Sequence, residues 1–79
     1  MKSMTISLEM AQKVKEFVSV TQSFPHEVLL KSGKYVVDAK SILGIFSLDL
    51  SKPVVVEIYG DKTGPLTRKL KQFEVQPQE

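Results

Sequence analysis

The sequence predicts an α+β fold in which a four-stranded, mostly antiparallel sheet is covered on one face by three helices. Three observations lead to this fold class. The hydrophobic period changes from two to about 3.6 after the first eight residues, the middle of the chain has the pattern of a hairpin, and Gly64–Pro65 opens a last helical segment. The predicted order of elements is βαββαβα, an open-faced sandwich.

The first third of the chain predicts one strand and one helix. Apolar and polar residues alternate in "MTISL", which indicates a strand over about residues 2–7. The apolar residues that follow have helical spacing, and this helix should end near Ser23 because the residue before Pro25 disfavours helical geometry. We expect Ser7 to cap the helix and Glu9 to stabilise its first turn.

The middle of the chain predicts a hairpin followed by a short helix. In "HEVLLKSGKYVVDA", two β-rich runs are joined by Ser32–Gly33 as a two-residue turn. The segment "SILGIFSL" then favours a helix of about two turns, with Ser41 near its N-terminus.

The last third predicts a strand, a helix and a frayed tail. In "VVVEIYG", alternate residues should face the helices, namely Val54, Val56 and Ile58. Proline suits the first position of a helix, so Pro65 should open the final one. Its inward stripe is predicted to be Leu66, Leu70 and Phe73, and residues 75–79 should fray.

Composition narrows the classes of function. Seventy-nine residues correspond to a single domain, 1–79, and 42% hydrophobic residues are ordinary for a globular protein. With no cysteine and one histidine, no metal site or cofactor is expected. A net charge of +2 argues against nucleic acid, including an RNA-binding sheet that would stack bases on Tyr35 and Tyr59. No membrane-spanning run or secretory signal is evident, so the expected location is cytoplasmic.

One segment carries a resemblance to a known family. The sequence "SGKYVVDAKSILGIFSLDL" resembles the region around the regulatory serine of HPr, the histidine-containing phosphocarrier protein of the bacterial sugar phosphotransferase system. The likeness is strongest over residues 32–50 and extends over about two-thirds of the chain. It implies the HPr-like form of the open-faced sandwich. It also implies that Ser41 matches the serine that a dedicated kinase phosphorylates, besides the helix-capping role expected for any such serine.

The resemblance breaks at the position of the phosphorylated histidine. Counting back from Ser41 without gaps places Met10 at the family histidine and Gln12 at its supporting arginine. A thioether cannot accept phosphate, and His26 lies about sixteen residues from the expected place, where a solvated or core-edge role is expected. We therefore predict a non-enzymatic interaction or regulatory module that has lost the histidine. The alternative is a phosphocarrier that acts through an atypical residue.

The apolar run after Ser41 raises the question of what covers it. The run contains five large apolar residues, whose angular spread exceeds half of a helix circumference: Ile42, Leu43, Ile45, Phe46 and Leu48. Ile42, Ile45 and Phe46 cannot all face the sheet together with Leu43 and Leu48. We therefore expect some of them to stay exposed. The alternative is that all five belong to the core or cover strand edges. The predicted protein-binding surface on the first and second helices consists of Met10, Gln12, Lys13, Ile42, Ile45 and Phe46. The oligomeric state is left open.

Overall fold

The computed structural model describes residues 1–76, and their elements follow the predicted order. The strands are β1 (Lys2–Ile6), β2 (Glu27–Ser32), β3 (Tyr35–Asp38) and β4 (Val54–Tyr59). The helices are α1 (Ala11–Gln22), α2 (Ile42–Phe46) and α3 (Gly64–Leu70), and a 3₁₀ turn, Lys71–Phe73, follows α3. Within residues 1–76, none of the helices combines the length and the apolar character that crossing a membrane requires.

The four strands form one sheet in the order β1-β4-β2-β3, and every neighbouring pair is antiparallel. In the centre of the sheet, Val56 is paired with Met4 on one side and with Leu30 on the other. Val54, Val56 and Ile58 are buried, whereas Val55 between them is exposed. This alternation confirms the predicted faces of β4, because successive side chains of a strand point to opposite sides.

The helices cover one face of this sheet and share one hydrophobic core with it. Phe17 of α1 is fully buried, and its ring meets that of Phe73 edge-to-face at a centroid distance of 5.6 Å. Leu66 and Leu70 are also fully buried, so the predicted inward stripe of the last helical segment is confirmed. Edge-to-face contact suits the aromatic quadrupole and joins α1 to the end of the chain.

The turn of the β2–β3 hairpin lies one residue later than predicted. Ser32 is paired with Tyr35, so the two-residue turn consists of Gly33 and Lys34 and not of Ser32 and Gly33. Gly33 has a φ of +59°, which glycine adopts without a steric penalty at the first central position of such a turn.

The start of α1 also differs from the prediction. The helix begins at Ala11 with Met10 as its N-cap, so neither Ser7 nor Glu9 belongs to the cap or to the first turn. The reason is tertiary, since the Ser7 N–H donates to the Phe73 carbonyl at 3.0 Å and thereby extends the chain beyond β1.

The chain after Phe73 is held beside β1. The Val75 N–H donates to the Thr5 carbonyl at 2.9 Å, and Glu74 forms a bridge with Ile6. Fraying was predicted over residues 75–79, and Val75 is the one of these residues that this backbone hydrogen bond holds. Residues 77–79 lie outside the described part of the chain.

The sheet face opposite the helices carries a polar network. The Tyr59 hydroxyl donates to Glu57 Oε1 at 2.6 Å, and Lys31 Nζ lies 3.1 Å from Glu57 Oε2. These contacts hold the pKa of Glu57 below its ordinary value, with the Tyr59 hydrogen bond as the largest cause and Lys31 next. The same hydrogen bond raises the pKa of Tyr59, because ionisation would remove the donated proton.

The network predicts a specific acid dependence of stability. Because the folded pKa of Glu57 is depressed, its contribution is present above the unfolded pKa and is lost as the pH falls through the folded value. We expect Glu57→Gln to lower the free energy of unfolding at neutral pH and to flatten its decline below about pH 4.5. Urea unfolding at several pH values measures both effects. An unchanged pH profile in Glu57→Gln would contradict this assignment.

Candidate functional site

The outer side of α2 is the largest apolar exposure on the helices. Leu43 is 80% exposed and Phe46 44% exposed, whereas Ile45 is completely buried and Ile42 is partly buried against the core. The expectation that some apolar surface of this segment stays outside is confirmed. Its composition was predicted wrongly, because Ile45 is a core residue and Leu43, which was not included in the predicted surface, points to solvent.

The helical spacing of these residues explains the difference, because Leu43 and Ile45 lie on nearly opposite sides of α2. The helix has five residues, little more than one turn, where about two turns were predicted. The Leu48 N–H donates to the Ile45 carbonyl at 3.0 Å, and Leu48 is buried beside the core. Positions 45 and 48 are therefore on the inner side, and position 43 falls on the outer side.

Ser41 is the N-cap of α2, as predicted. Its hydroxyl oxygen accepts the Gly44 N–H at 3.1 Å, which satisfies one of the free donors of the first helical turn. The residues before it form a turn in which the Ser41 N–H donates to the Asp38 carbonyl and the Lys40 N–H donates to Asp38 Oδ1. The Ser41 side chain is partly exposed at this corner.

The start of α1 presents a second exposed group. Met10 is 65% exposed, and Gln12 and Lys13 are also exposed. Lys13 Nζ lies 3.7 Å from Glu16 Oε1 and 5.9 Å from the centroid of the Phe73 ring. A groove of about 350 Å³ lies between this end of α1 and the chain after α3, and both Met10 and Phe73 line it.

The structure packs α1 and α2 against each other on the helical face, and their contact is polar as well as apolar. The Thr21 hydroxyl, fully buried near the end of α1, lies 2.9 Å from the carbonyl oxygen of Ala39 and 3.1 Å from that of Val18. The Gln22 amide donates to the Lys40 carbonyl at 3.0 Å. These bonds join the C-terminal end of α1 to the turn that precedes α2.

His26 lies before β2, away from the start of α1 in the sequence. Its Nε2 is 2.6 Å from the Asp61 carbonyl, and its Nδ1 is buried without a hydrogen-bond partner. A carbonyl oxygen only accepts, so Nε2 is the donor in this contact. The ring is partly buried beside Phe24 at 6.2 Å between centroids, the core-edge position that was expected. In this arrangement, neither nitrogen is a free nucleophile.

Sequence reasoning missed two residues of this region. Leu43 has an apolar side chain on the outside of α2, and only the burial of Ile45 on the other side shows which way it faces. Thr21 was not singled out in the sequence, although its hydroxyl links α1 to Ala39. A buried threonine on an otherwise apolar stripe is the signal that could have suggested such a link, since a buried hydroxyl requires a partner.

Solved structures of HPr proteins resemble this chain. The crystal structure of HPr-C-His from Thermoanaerobacter tengcongensis has a TM-score of 0.78 and 28% sequence identity, over 91% of this chain and 89% of that chain. Phosphocarrier protein HPr from Bacillus anthracis str. Ames has a TM-score of 0.72 and 22% identity, over 94% of both chains. No protein-family model matches the sequence, and no curated protein matches it significantly. The chain therefore has the open-faced α+β sandwich fold of the HPr proteins.

Proposed function

We propose that this chain is an HPr-like protein-interaction or regulatory module that lacks the phosphorylatable histidine of the phosphocarriers. The proposal rests on the chemistry and the surroundings of two residues, Met10 and His26. Met10 stands immediately before α1, where the resemblance assigns the histidine, and its thioether is not a phosphate acceptor. His26 is on another segment, with Nε2 bonded to a carbonyl and Nδ1 buried.

The proposed docking surface consists of the exposed residues at the start of α1 and on the outer side of α2. Its apolar part is Met10, Leu43 and Phe46, with Ile42 at the margin, and Gln12 and Lys13 supply polar contacts. Ile45 is excluded because it is buried. An apolar centre with a polar rim is the usual composition of a protein interface, which favours a protein as the partner.

A direct binding test uses the first enzyme of the sugar phosphotransferase system as the probe. We expect it to bind the wild type in calorimetric titration, and Phe46→Ala to weaken binding by about tenfold, since a half-exposed aromatic side chain is a common anchor. Val55→Ala, on the opposite face of the sheet, is the matched control and should bind as the wild type does. No binding, equal loss in both variants, or unfolding of Phe46→Ala would each contradict this docking surface.

Phosphotransfer is tested separately with phosphoenolpyruvate and the same enzyme. We expect no acid-labile phosphate to be incorporated, because Nε2 of His26 is hydrogen-bonded and its Nδ1 is buried. Labelling that disappears in His26→Gln would overturn this expectation and favour the alternative, a phosphocarrier that acts through an atypical residue. Labelling that survives His26→Gln would place that residue elsewhere.

Ser41 is proposed as a regulatory phosphorylation site in addition to its capping role. A phosphate there would add nearly two negative charges at the start of a helix, where free N–H groups and the dipole favour an anion. We expect purified HPr kinase with ATP to label the wild type and not Ser41→Ala. The circular dichroism of the labelled protein should remain that of the folded chain. Absence of label in the wild type would leave Ser41 with the capping role alone.

A further inference from the structure

The outer edge of β3 is an exposed strand edge. β3 is the last strand in the sheet order, and within residues 1–76 no strand is paired with its outer side. The strand also exposes apolar side chains, since Tyr35 is 71% and Val36 52% exposed. An edge of this kind is a template for pairing with a strand of another chain.

The hydrogen-bond pattern identifies which backbone groups of β3 point outward. The Ala39 N–H donates to the Val28 carbonyl at 2.9 Å, so Ala39 and Val28 form a hydrogen-bonded pair at the end of the hairpin. Bonded pairs alternate along an antiparallel ladder. The groups of Tyr35 and Val37 therefore point toward β2, and the N–H and C=O of Val36 point away from the sheet.

Opposite charges stand at equal distances along the chain on the two sides of Val36. Lys34 and Asp38 lie two residues before and two residues after it, and both are exposed. Lys34 belongs to the turn directly before β3, and Asp38 ends the strand. If a second β3 strand aligns antiparallel with Val36 opposite Val36, the Lys34 end of each strand lies beside the Asp38 end of the other copy. Unlike charges on neighbouring strands stabilise their pairing, whereas like charges oppose it.

A strand edge protected against association usually carries charges that repel a second copy, most often lysine. In the antiparallel register, the lysine of each copy lies near the aspartate of the other. These charges therefore attract a second copy and do not protect the strand edge from pairing with it. In the same register, the two Val36 residues form a hydrogen-bonded pair. Asp38 keeps one carboxylate oxygen for the contact, since Oδ1 accepts the Lys40 N–H.

We propose that β3 is a self-association edge, through which two copies of this chain join their sheets in an antiparallel, two-fold symmetric pair centred on Val36. The interface is isologous, because each copy contributes the same residues. It is small, so the dimer is expected to be weak and concentration-dependent. This inference does not depend on the proposed function of the helical face.

The test uses the full chain and exchanges the two charges. Sedimentation velocity and amide spectra over a range of concentrations should show a weak wild-type dimer, with the signals of Val36 and Asp38 shifting as it forms. Lys34→Asp and Asp38→Lys should each weaken the dimer by about tenfold, because each places like charges near each other. An equimolar mixture of the two variants should restore association, since unlike charges are then neighbours again.

Two further variants separate charge pairing from other causes. Lys15→Asp makes the same charge change on an exposed position of α1 and should leave the dimer unchanged. Asp38→Asn retains an oxygen for the Lys40 N–H and removes the charge, so it should fold normally and weaken the dimer, even if Asp38→Lys disturbs the turn. A monomeric wild type, an unimpaired dimer in both charge variants, or a mixture that does not associate would overturn the proposal.

Discussion

Replacing Ile45 by alanine is expected to lower the free energy of unfolding by about 2–5 kcal/mol. The Ile45 side chain is completely buried and belongs to the same core as Val56 and Phe17. Truncation removes apolar contacts and leaves a cavity that neighbouring side chains fill only in part. In a chain of 79 residues, this loss is a large share of the total stability. Urea unfolding monitored by circular dichroism measures it.

Leu43→Ala is the matched control, because it removes a comparable side chain from the same helix at a position that is 80% exposed. We expect it to change the free energy of unfolding by no more than about 0.5 kcal/mol. It should nevertheless weaken binding at the proposed docking surface, so the two variants separate stability from recognition within one short helix. Equal destabilisation by both would contradict the assignment of inner and outer sides to α2.

Replacing Thr21 by valine is expected to cost about 1–3 kcal/mol of stability although valine has nearly the same shape. The Thr21 hydroxyl lies 2.9 Å from the Ala39 carbonyl oxygen, and both residues are fully buried. Valine leaves this acceptor without the donor in a place that water does not reach. Thermal or urea unfolding, with a structure-sensitive comparison of amide spectra around residues 38–41, would detect the effect.

Thr21→Ser provides the control, because serine keeps the hydroxyl and loses only a methyl group. We expect it to retain the link to Ala39 and to shift the amide signals of the turn before α2 less than Thr21→Val does. If Thr21→Val is as stable as the wild type, the hydroxyl does not hold α1 to that turn. If both variants lose the same stability, the methyl group and its packing are the important part of the side chain.

The elements of this fold were predictable from short-range patterns. Period-two alternation identified β1 and β4, and the burial of Val54, Val56 and Ile58 followed from it. The phenylalanine before Pro25 marked the end of α1, and Ser41 was recognised as the cap of α2. In each case, the signal lies within a few residues of the feature, so no distant part of the chain is needed to interpret it.

The candidate site was predicted less completely. Exposed Met10 and Phe46 agree with the surface that was expected, but their role in binding stays a prediction. Ile45 was placed on that surface wrongly and Leu43 was left out, because the angular spread of the apolar residues does not tell which of them face the core. Helical residues two positions apart lie on nearly opposite sides, so Leu43 faces solvent once Ile45 faces the core.

The sequence by itself determined the order of elements and the hydrophobic faces of the strands. Only the tertiary structure decided where α1 begins, since Ser7 is taken by a hydrogen bond to Phe73 from the other end of the chain. It also decided that His26 is bonded to Asp61 and that Thr21 is bonded to Ala39. The physical reason is common to these cases. Each hydrogen bond joins groups that only the folded chain brings together, and their partners are residues far away in the sequence, which local periodicity does not specify.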